Sequence, residues 1–400
     1  MRWDGLLVVT LGIAAGLLTF HNASRMSPLV FSTRAQDLLF DADTADYVSM
    51  MTVREGPHGE TKVHPLLTLF IYPPVKILRS VLDLEPTQAI RVTLALVAAL
   101  WAGTLFGVLR LIGCREPDSA IFTLLGVVSA AAQFWFAVPE TGSYGSLSIL
   151  AAVGVMALAQ RWKISELGYA AVSAFTLSTT VTNWMAGIFL SFINLPRRRA
   201  LKLTAIAFGI VVALAGLQEA IFPRADFFLQ NPKKGAFLFH PRSGGPVKIV
   251  PAFIFHTMIM PAIENTPKNG ALRLTTQQLA PGSGSPWGRA AVWFWGALLG
   301  VGAWWAVSNA RSSKLVQLVG FTLLGQLVLH LVFGKETFLQ ALHFLPLLIV
   351  LAAFGTFTRA RPGVLLFAAA LTVCAFINNQ LIFEQAATQV DRYEELIGPG

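Results

Sequence analysis

The run "AIRVTLALVAALWAGTLFGVLRLIG", residues 89–113, decides the fold class of this 400-residue chain. It is long enough to cross a bilayer as a helix, which takes about 20 mostly apolar residues. Its charged residues, Arg91 and Arg110, stand near its two ends. Similar runs recur along the chain. Because lipid offers no hydrogen-bond partner to the backbone, each run is expected to form a helix, in which the backbone groups bond to one another. The sequence predicts an all-α polytopic membrane protein.

Composition supports a membrane protein and argues against nucleic acid as a partner. Apolar residues make up 54% and charged residues 13% of the chain, with a mean hydropathy of +0.61, whereas a soluble domain has about a quarter charged residues. The net charge is +9, but its basic residues lie in short clusters between apolar runs. Cys114 and Cys374 indicate neither a disulfide framework nor a zinc site.

The basic turns between apolar runs predict the topology. If they lie in the cytoplasm, the chain forms one domain, 1–400, with about eleven transmembrane helices, a cytoplasmic N-terminus and an extracytoplasmic C-terminus. The run 167–195 has positive residues at both ends, so we expect two short helices that turn near Thr182 and Asn183. Two long loops, 21–88 and 223–289, then lie outside. Ala- and Arg-rich usage is typical of a bacterial inner membrane protein.

The first loop gathers acidic residues that are scarce elsewhere. "LLFDADTADYVSMMTVREGPHGETKVHPLLTLFIYPP", residues 38–74, holds five of the 21 acidic residues: Asp41, Asp43, Asp46, Glu55 and Glu60. A helix here would present Asp43 together with Asp46 and Tyr47, three and four residues on. Its other side would bury apolar residues in the membrane interface, namely Leu38, Leu39, Phe40, Val48 and Met51. The prolines that follow predict a broken or juxtamembrane helix.

Two interpretations of these acids stay open. They are either the solvated caps of short helices, or they include a general base or a metal ligand at the membrane surface. Asp41 and Asp43 also form a D-x-D pair, a spacing that binds divalent cations in many sugar transferases.

The order of these features resembles the GT-C superfamily of integral-membrane glycosyltransferases, which includes protein O-mannosyltransferases and lipid A aminoarabinose transferases. The resemblance covers residues 1–115: a first helix, an acidic motif ending in Tyr47, an HP pair at His64, and Arg91 at the next helix. "GKETFLQALHFLPLLIVL", residues 334–351, looks like the segment that closes their active site. The resemblance implies juxtamembrane helices in the first loop. It also implies a cell-envelope enzyme that moves sugar from a polyprenyl-phosphate donor to a glycan, lipid or protein hydroxyl outside the membrane, with inversion.

The resemblance also implies a catalytic acid. Asp43 matches it by position, four residues before Tyr47. The family often has Asp-Glu there, whereas this chain has Asp43-Thr44, so Asp41 and Asp46 remain rivals for the role. A divalent ion such as Mg²⁺ or Mn²⁺ at Asp41 and Asp43 is compatible with the family, although some relatives work without a metal.

Further residues are expected to bind substrate. Because the leaving group is a lipid phosphate, it needs cations near the bilayer surface. The resemblance and the predicted topology together nominate these residues: Tyr47, His64, Arg91, Glu140, Arg242, His256, Lys335 and His343. In the second loop, Lys233, Lys234 and His240 are additional candidates, and a surface subdomain with an interfacial helix is the structural alternative there.

A transporter or lipid flippase with a polar extracytoplasmic cavity is the rival function. Such proteins place ionisable residues deep within their helices, whereas the apolar runs here are nearly free of charge and the polar residues gather between them. A non-catalytic scaffold is a third possibility, for which all three aspartates would tolerate alanine.

Overall fold

A computed structural model describes residues 2–34, 37–229, 239–267 and 270–398 of the chain. Over these residues the protein is almost entirely helical. The α-helices are α1 Arg2–Arg25, α2 Thr44–Thr52, α3 Leu67–Leu82, α4 Pro86–Ile112, α5 Glu116–Val127, α6 Ala130–Trp135, α7 Gly142–Ala159, α8 Glu166–Thr179, α9 Trp184–Asn194, α10 Arg197–Ile221, α11 Pro246–Pro251, α12 Pro286–Asn309, α13 Lys314–Val332, α14 Ala341–Ala353 and α15 Arg361–Ile397. Two short antiparallel strands, β1 Glu264–Asn265 and β2 Leu274–Thr275, form the sheet.

Eight helical segments of the described chain are long and apolar enough to cross a membrane. They are Asp4–Arg25, Pro86–Ile112, Gly142–Ala159, Arg197–Ile221, Pro286–Asn309, Lys314–Val332, Thr337–Phe357 and Arg361–Ile397. The protein is therefore an all-α polytopic membrane protein. The other apolar runs form helices too short for that criterion: α5 followed by α6, α8, and α9.

The predicted break in run 167–195 is confirmed. α8 ends at Thr179, a short 3-10 turn covers Val181–Asn183, and α9 begins at Trp184. The first loop supplies hydrogen-bond partners to the backbone at this break. The Leu66 N–H donates to Ser178 O at 2.9 Å, and the Val181 N–H donates to Val63 O at 3.1 Å. The break is thus where the first loop docks.

The pairing of α1 with α4 depends on small residues. A Cβ at Gly12 would lie 3.2 Å from Ala99 O, and one at Gly16 would lie 3.2 Å from Ala95 O. Such close backbone approach is typical of helices that associate in lipid. α1 continues to Arg25.

Ion pairs mark the two ends of the bundle. Asp4 pairs with Arg110 at 2.8 Å, so α1 and α4 run antiparallel. Arg25, at the opposite end of α1, pairs with Glu384 of α15 at 3.0 Å. We call the end that contains Arg25 the site end. The first loop lies there, and so does the end of α10, because Arg54 Nε donates to Ile221 O at 2.9 Å.

The two long loops join each other at the site end. The Phe40 N–H donates to Leu274 O at 3.0 Å, and the Leu274 N–H donates to Leu38 O at 2.9 Å. This contact overturns the expectation that one side of the acidic segment lies in the membrane interface. The five apolar residues expected there are buried in the protein core: Leu38, Leu39, Phe40, Val48 and Met51. They are drawn inward because β2 pairs with the segment before α2.

Candidate functional site

A sharp turn precedes the acidic helix. Phe40 and Asp41 both have positive φ, 54° and 62°, a region that residues other than glycine adopt rarely. The Phe40 ring is fully buried, with ring centroids 5.5 Å from Phe134, 6.0 Å from Trp135 and 5.2 Å from Phe338. The turn reverses the chain, so that Asp43 emerges from the core two residues later. We call residues 40–43 the acidic turn.

Asp43 is the exposed acid of this turn. It stands at the N-terminal cap of α2 without a side-chain capping bond, and the residue is exposed. Protein surrounds it on its other sides. This burial raises the pKa of Asp43 to about 6, helped by the negative charges of Asp37, Asp46 and Asp41 and opposed by Lys62. A carboxylate with such a pKa is still ionised at neutral pH, and it is a better base than an ordinary aspartate.

Asp41 is held differently from Asp43. Both of its carboxylate oxygens accept hydrogen bonds from Arg273, from Nε at 2.7 Å and from a terminal nitrogen at 2.7 Å. A cation shared by Asp41 and Asp43 does not fit this arrangement, because the Asp41 oxygens are already engaged. Among the described residues no group of three or more His, Cys, Asp and Glu side chains is placed to hold a metal ion.

Two further carboxylates interact electrostatically with Asp43. The charge of Asp43 contributes to raised pKa values at Glu60 and Glu140, although burial is the largest cause at both; the pKa of Glu60 reaches about 7. Glu140 is 8% exposed and accepts a hydrogen bond from the Thr141 N–H. We call Asp43, Glu60 and Glu140 the carboxylate cluster. Its predicted members are Asp43 and Glu140, whereas Glu60 was counted among the loop's acids without a role.

Tyr47 and His64 are buried residues near this cluster. Tyr47 is buried rather than presented with Asp43 on an exposed face, and its ring centroid lies 6.2 Å from that of His64. His64 Nδ1 lies 2.8 Å from Thr179 O, which makes Nδ1 the donor and Nε2 an acceptor. Burial lowers the pKa of His64 to about 4. Neutral His64 therefore can accept a hydrogen bond from a hydroxyl but cannot balance the charge of a phosphate.

His343, a candidate for substrate binding, lies inside the bundle and is only 2% exposed. Asn183 Nδ2 donates to its Nδ1 at 2.9 Å, and Gln326 Nε2 donates to Asn183 Oδ1 at 3.2 Å. The His343 ring packs directly on Gly145, and a Cβ at position 145 would clash with it. The helix that begins at Ala341 points His343 into the core, where it braces the start of α7.

Cationic candidates gather around the Asp41–Arg273 pair. Burial lowers the pKa of His240, and the charges of Lys335, Arg242 and Arg273 lower it further, whereas the charge of Asp41 opposes them. Arg242 is exposed, whereas His256 is only 1% exposed and offers no surface to a ligand. Lys233 and Lys234 lie outside the described residues.

Arg91 reaches the beginning of the first loop. A terminal guanidinium nitrogen donates to Met26 O at 3.1 Å, and the guanidinium lies 4.6 Å from the centroid of the Phe31 ring. Its Nε is buried without a hydrogen-bond partner. Arg91 thus ties α4 to the loop and keeps one donor unused.

Glu336 and Arg273 are site-end residues that the sequence did not single out. Glu336 accepts hydrogen bonds from the hydroxyls of Thr275 and Thr276, both at 2.6 Å, and from the Thr276 and Gln277 N–H groups. Both residues bridge distant parts of the chain, which no local spacing reveals. Glu336 stands beside the predicted Lys335, and that position was the available signal.

Comparison with protein-family models, curated proteins and solved structures found no match to this chain. The functional interpretation therefore depends on the residues and contacts described above.

Proposed function

We propose that this protein is an integral-membrane glycosyltransferase that moves a sugar from a polyprenyl-phosphate donor to a hydroxyl acceptor. The observation that carries the proposal is Asp43, an exposed acid of raised pKa at the start of α2, which interacts electrostatically with Glu60 and Glu140. The acceptor is a glycan, a lipid or a protein. The reaction inverts the configuration at the anomeric carbon, because one displacement occurs from the face opposite the leaving group.

In this reaction Asp43 acts as the general base. Its carboxylate takes the proton of the acceptor hydroxyl while the oxygen bonds to the anomeric carbon. The bond between that carbon and the phosphate oxygen breaks, and polyprenyl phosphate leaves with the electron pair. The raised pKa of Asp43 supports this role, since proton transfer is efficient when the base has a pKa near the working pH.

Cations at the site end would stabilise the leaving phosphate. Lys335 and Arg242 act on the same histidine, His240, as Asp41 and Arg273 do, and Arg91 is a half-buried cation at the start of the first loop. Charge-assisted hydrogen bonds to a phosphate are about twice as strong as neutral ones. His64, being neutral, would instead accept a hydrogen bond from a sugar or acceptor hydroxyl.

The proposal includes a membrane orientation. The chain crosses the membrane about eleven times, and three of these crossings are made by the shorter apolar segments α5–α6, α8 and α9. The N-terminus lies in the cytoplasm and the site end outside. The positive cluster 197–199 then lies in the cytoplasm, as basic residues between short crossings usually do. We assign the protein to a bacterial inner membrane because of its Ala- and Arg-rich composition.

A transfer assay with purified protein in proteoliposomes tests this function. The probes are synthetic polyprenyl phosphates that carry radiolabelled hexoses or pentoses, and a delipidated cell-envelope fraction serves as the acceptor pool. We expect wild-type protein to form labelled product and Asp43→Asn to reduce the rate by about 100-fold or more, the scale of a lost general base.

Glu55→Gln is the matched control, because Glu55 is an exposed acid of the same loop outside the carboxylate cluster. Undiminished transfer by Asp43→Asn would remove Asp43 from the role. Movement of labelled donor across the bilayer without any new glycosidic bond would favour the transporter instead.

A further inference from the structure

Arg273 and Asp41 form an enclosed ion pair between the two long loops. Arg273 is 8% exposed, and the exposed fractions of the two side chains are 10% and 17%. Arg273 Nε donates to Asp41 Oδ1 at 2.7 Å, and a terminal guanidinium nitrogen lies 2.7 Å from Oδ2 and 2.6 Å from Oδ1. This arrangement fixes orientation as well as distance. The pair therefore holds the backbone of the acidic turn in one place.

The acidic turn needs such support because its backbone is unfavourable. A left-handed φ, as at Phe40 and Asp41, is unfavourable for any residue that carries a Cβ atom. Burial of the Phe40 ring and the Phe40 N–H bond to Leu274 O hold the first of these residues. The Arg273 pair holds the second. Asp43 follows two residues later, so its position depends on both.

The other partner of the pair is anchored equally well. Arg273 directly precedes Leu274, whose backbone bonds to Leu38 and Phe40, and β2 continues into the residues that bond to Glu336. The guanidinium is thus attached both to the first loop and to the segment that enters α14. A displacement of Arg273 would be transmitted to Asp41.

We propose that Arg273 is a positioning residue. By binding Asp41 it holds the left-handed backbone at Phe40 and Asp41, and this sets the location of Asp43. This inference rests on the proposed role of Asp43 as the base. Arg273 itself touches neither the acceptor nor the donor in this role. It neutralises Asp41, and it joins the second loop to the acidic turn as a latch.

The latch also affects the charge around Asp43. The charged groups that interact with Asp43 lie on three segments of the chain. Asp37, Asp41 and Asp46 lie around the acidic turn. Glu60 and Lys62 lie in the turn before His64, and Glu140 lies before α7. Loss of Arg273 leaves the charge of Asp41 unbalanced, which disfavours the ionised form of Asp43. Loss of the Asp41 charge does the opposite.

Hydrogen exchange with mass spectrometry, on full-length protein in nanodiscs, tests the latch without reference to activity. In Arg273→Gln we expect peptides covering 37–43 and 271–279 both to exchange at least about tenfold faster, because local opening becomes easier when a buried pair loses one partner. Peptides from α7 should be unchanged. Arg273→Lys should be intermediate, and Arg311→Gln, an exposed arginine in the turn before α13, should match the wild type.

Transfer kinetics on the same samples separate positioning from general stability. The acid limb of the pH–rate profile should move to higher pH in Arg273→Gln and to lower pH in Asp41→Asn. In Arg273→Gln we also expect kcat to fall about tenfold or more, while KM for the donor changes less than about twofold. Asn keeps the left-handed conformation available at position 41. Faster exchange together with these shifts supports the proposal.

Unchanged exchange in 37–43, or faster exchange with unaltered kcat and pH profile, would overturn it. If wild-type protein shows no transfer at all, the proposed function fails, and the exchange result alone then decides whether the latch exists.

Discussion

At the scale of single residues, Asp43 and Glu140 show which members of a candidate site a sequence can indicate. Asp43 was identified because it stands four residues before a tyrosine after the first apolar helix, and Glu140 because it ends an apolar run. Their proximity became visible only in the fold, since the acidic turn brings Asp43 toward the residues before α7. Long-range pairs such as Asp41 with Arg273 are separated by too much chain for any local pattern to indicate them.

The pH dependence of transfer tests Asp43 at this scale. We expect the rate to fall as the pH drops through about 6, because protonation removes the base. Asp46→Asn removes a negative neighbour, which lowers the pKa of Asp43, so the acid limb should move to lower pH with activity retained. A complete loss of transfer in Asp46→Asn, measured beside Asp43→Asn, would instead make Asp46 the base.

The stability of the protein should respond to Glu60. Burial raises the pKa of Glu60 from 4.5 to about 7, so between these values the folded state binds more protons than the unfolded state. The free energy of unfolding then decreases as the pH rises through this window. Glu60→Gln should raise the Tm at pH 8 by about 2 °C, corresponding to about 1 kcal/mol, and should leave the Tm at pH 4 nearly unchanged.

Glu55→Gln is the control for this measurement, since Glu55 is exposed. An equal rise in Tm for both variants, or a rise that persists at pH 4, would contradict a burial effect at Glu60.

At the scale of elements, helix identity followed from hydropathy, whereas the shape of the loops did not. The break between α8 and α9 was predicted from positive residues at both ends of one apolar run, and it is where the first loop bonds to Ser178 and Val181. The acidic segment was expected to lie on the membrane because its apolar residues resemble one face of a helix. They enter the core instead, since β2 supplies partners for the backbone at Leu38 and Phe40.

The pairing of α1 with α4 gives a prediction for these elements. Gly12→Leu should lower the Tm by several degrees, because a side chain would be forced against Ala99 O at 3.2 Å, and overpacking costs about 1–3 kcal/mol. Gly5→Leu is the matched control in the same helix, since no atom lies within 4 Å of its Cβ position. Similar melting temperatures for the two variants, measured in one detergent, would show that the helices do not depend on this contact.

At the scale of the whole molecule, the sequence predicted a polytopic helical protein, and the eight long apolar helices confirm it. About eleven crossings remain a prediction. The remaining apolar segments are short or interrupted, and length alone does not decide whether they cross a bilayer. The ion pairs at the two ends of the bundle establish which helix ends lie together. Which of these ends faces the cytoplasm follows only from the basic turns.

Cysteine labelling tests the orientation. In a background with Cys114 and Cys374 replaced by serine, an impermeant maleimide should label Glu55→Cys and Arg242→Cys in intact cells. Arg198→Cys and Arg311→Cys should react only after permeabilisation, because their turns carry the positive charge retained in the cytoplasm. All four positions are exposed in the structure. The reverse pattern would place Asp43 in the cytoplasm and exclude the proposed reaction.

The most direct measurement of the central claim is an experimental structure with a short-chain polyprenyl phosphate bound. We predict the phosphate at the site end near Lys335 or Arg91, and the Asp43 carboxylate as the acid nearest to the position of the anomeric carbon, within reach of an attacking hydroxyl. A phosphate bound away from the site end, with Asp43 facing no lipid-lined cavity, would contradict the account.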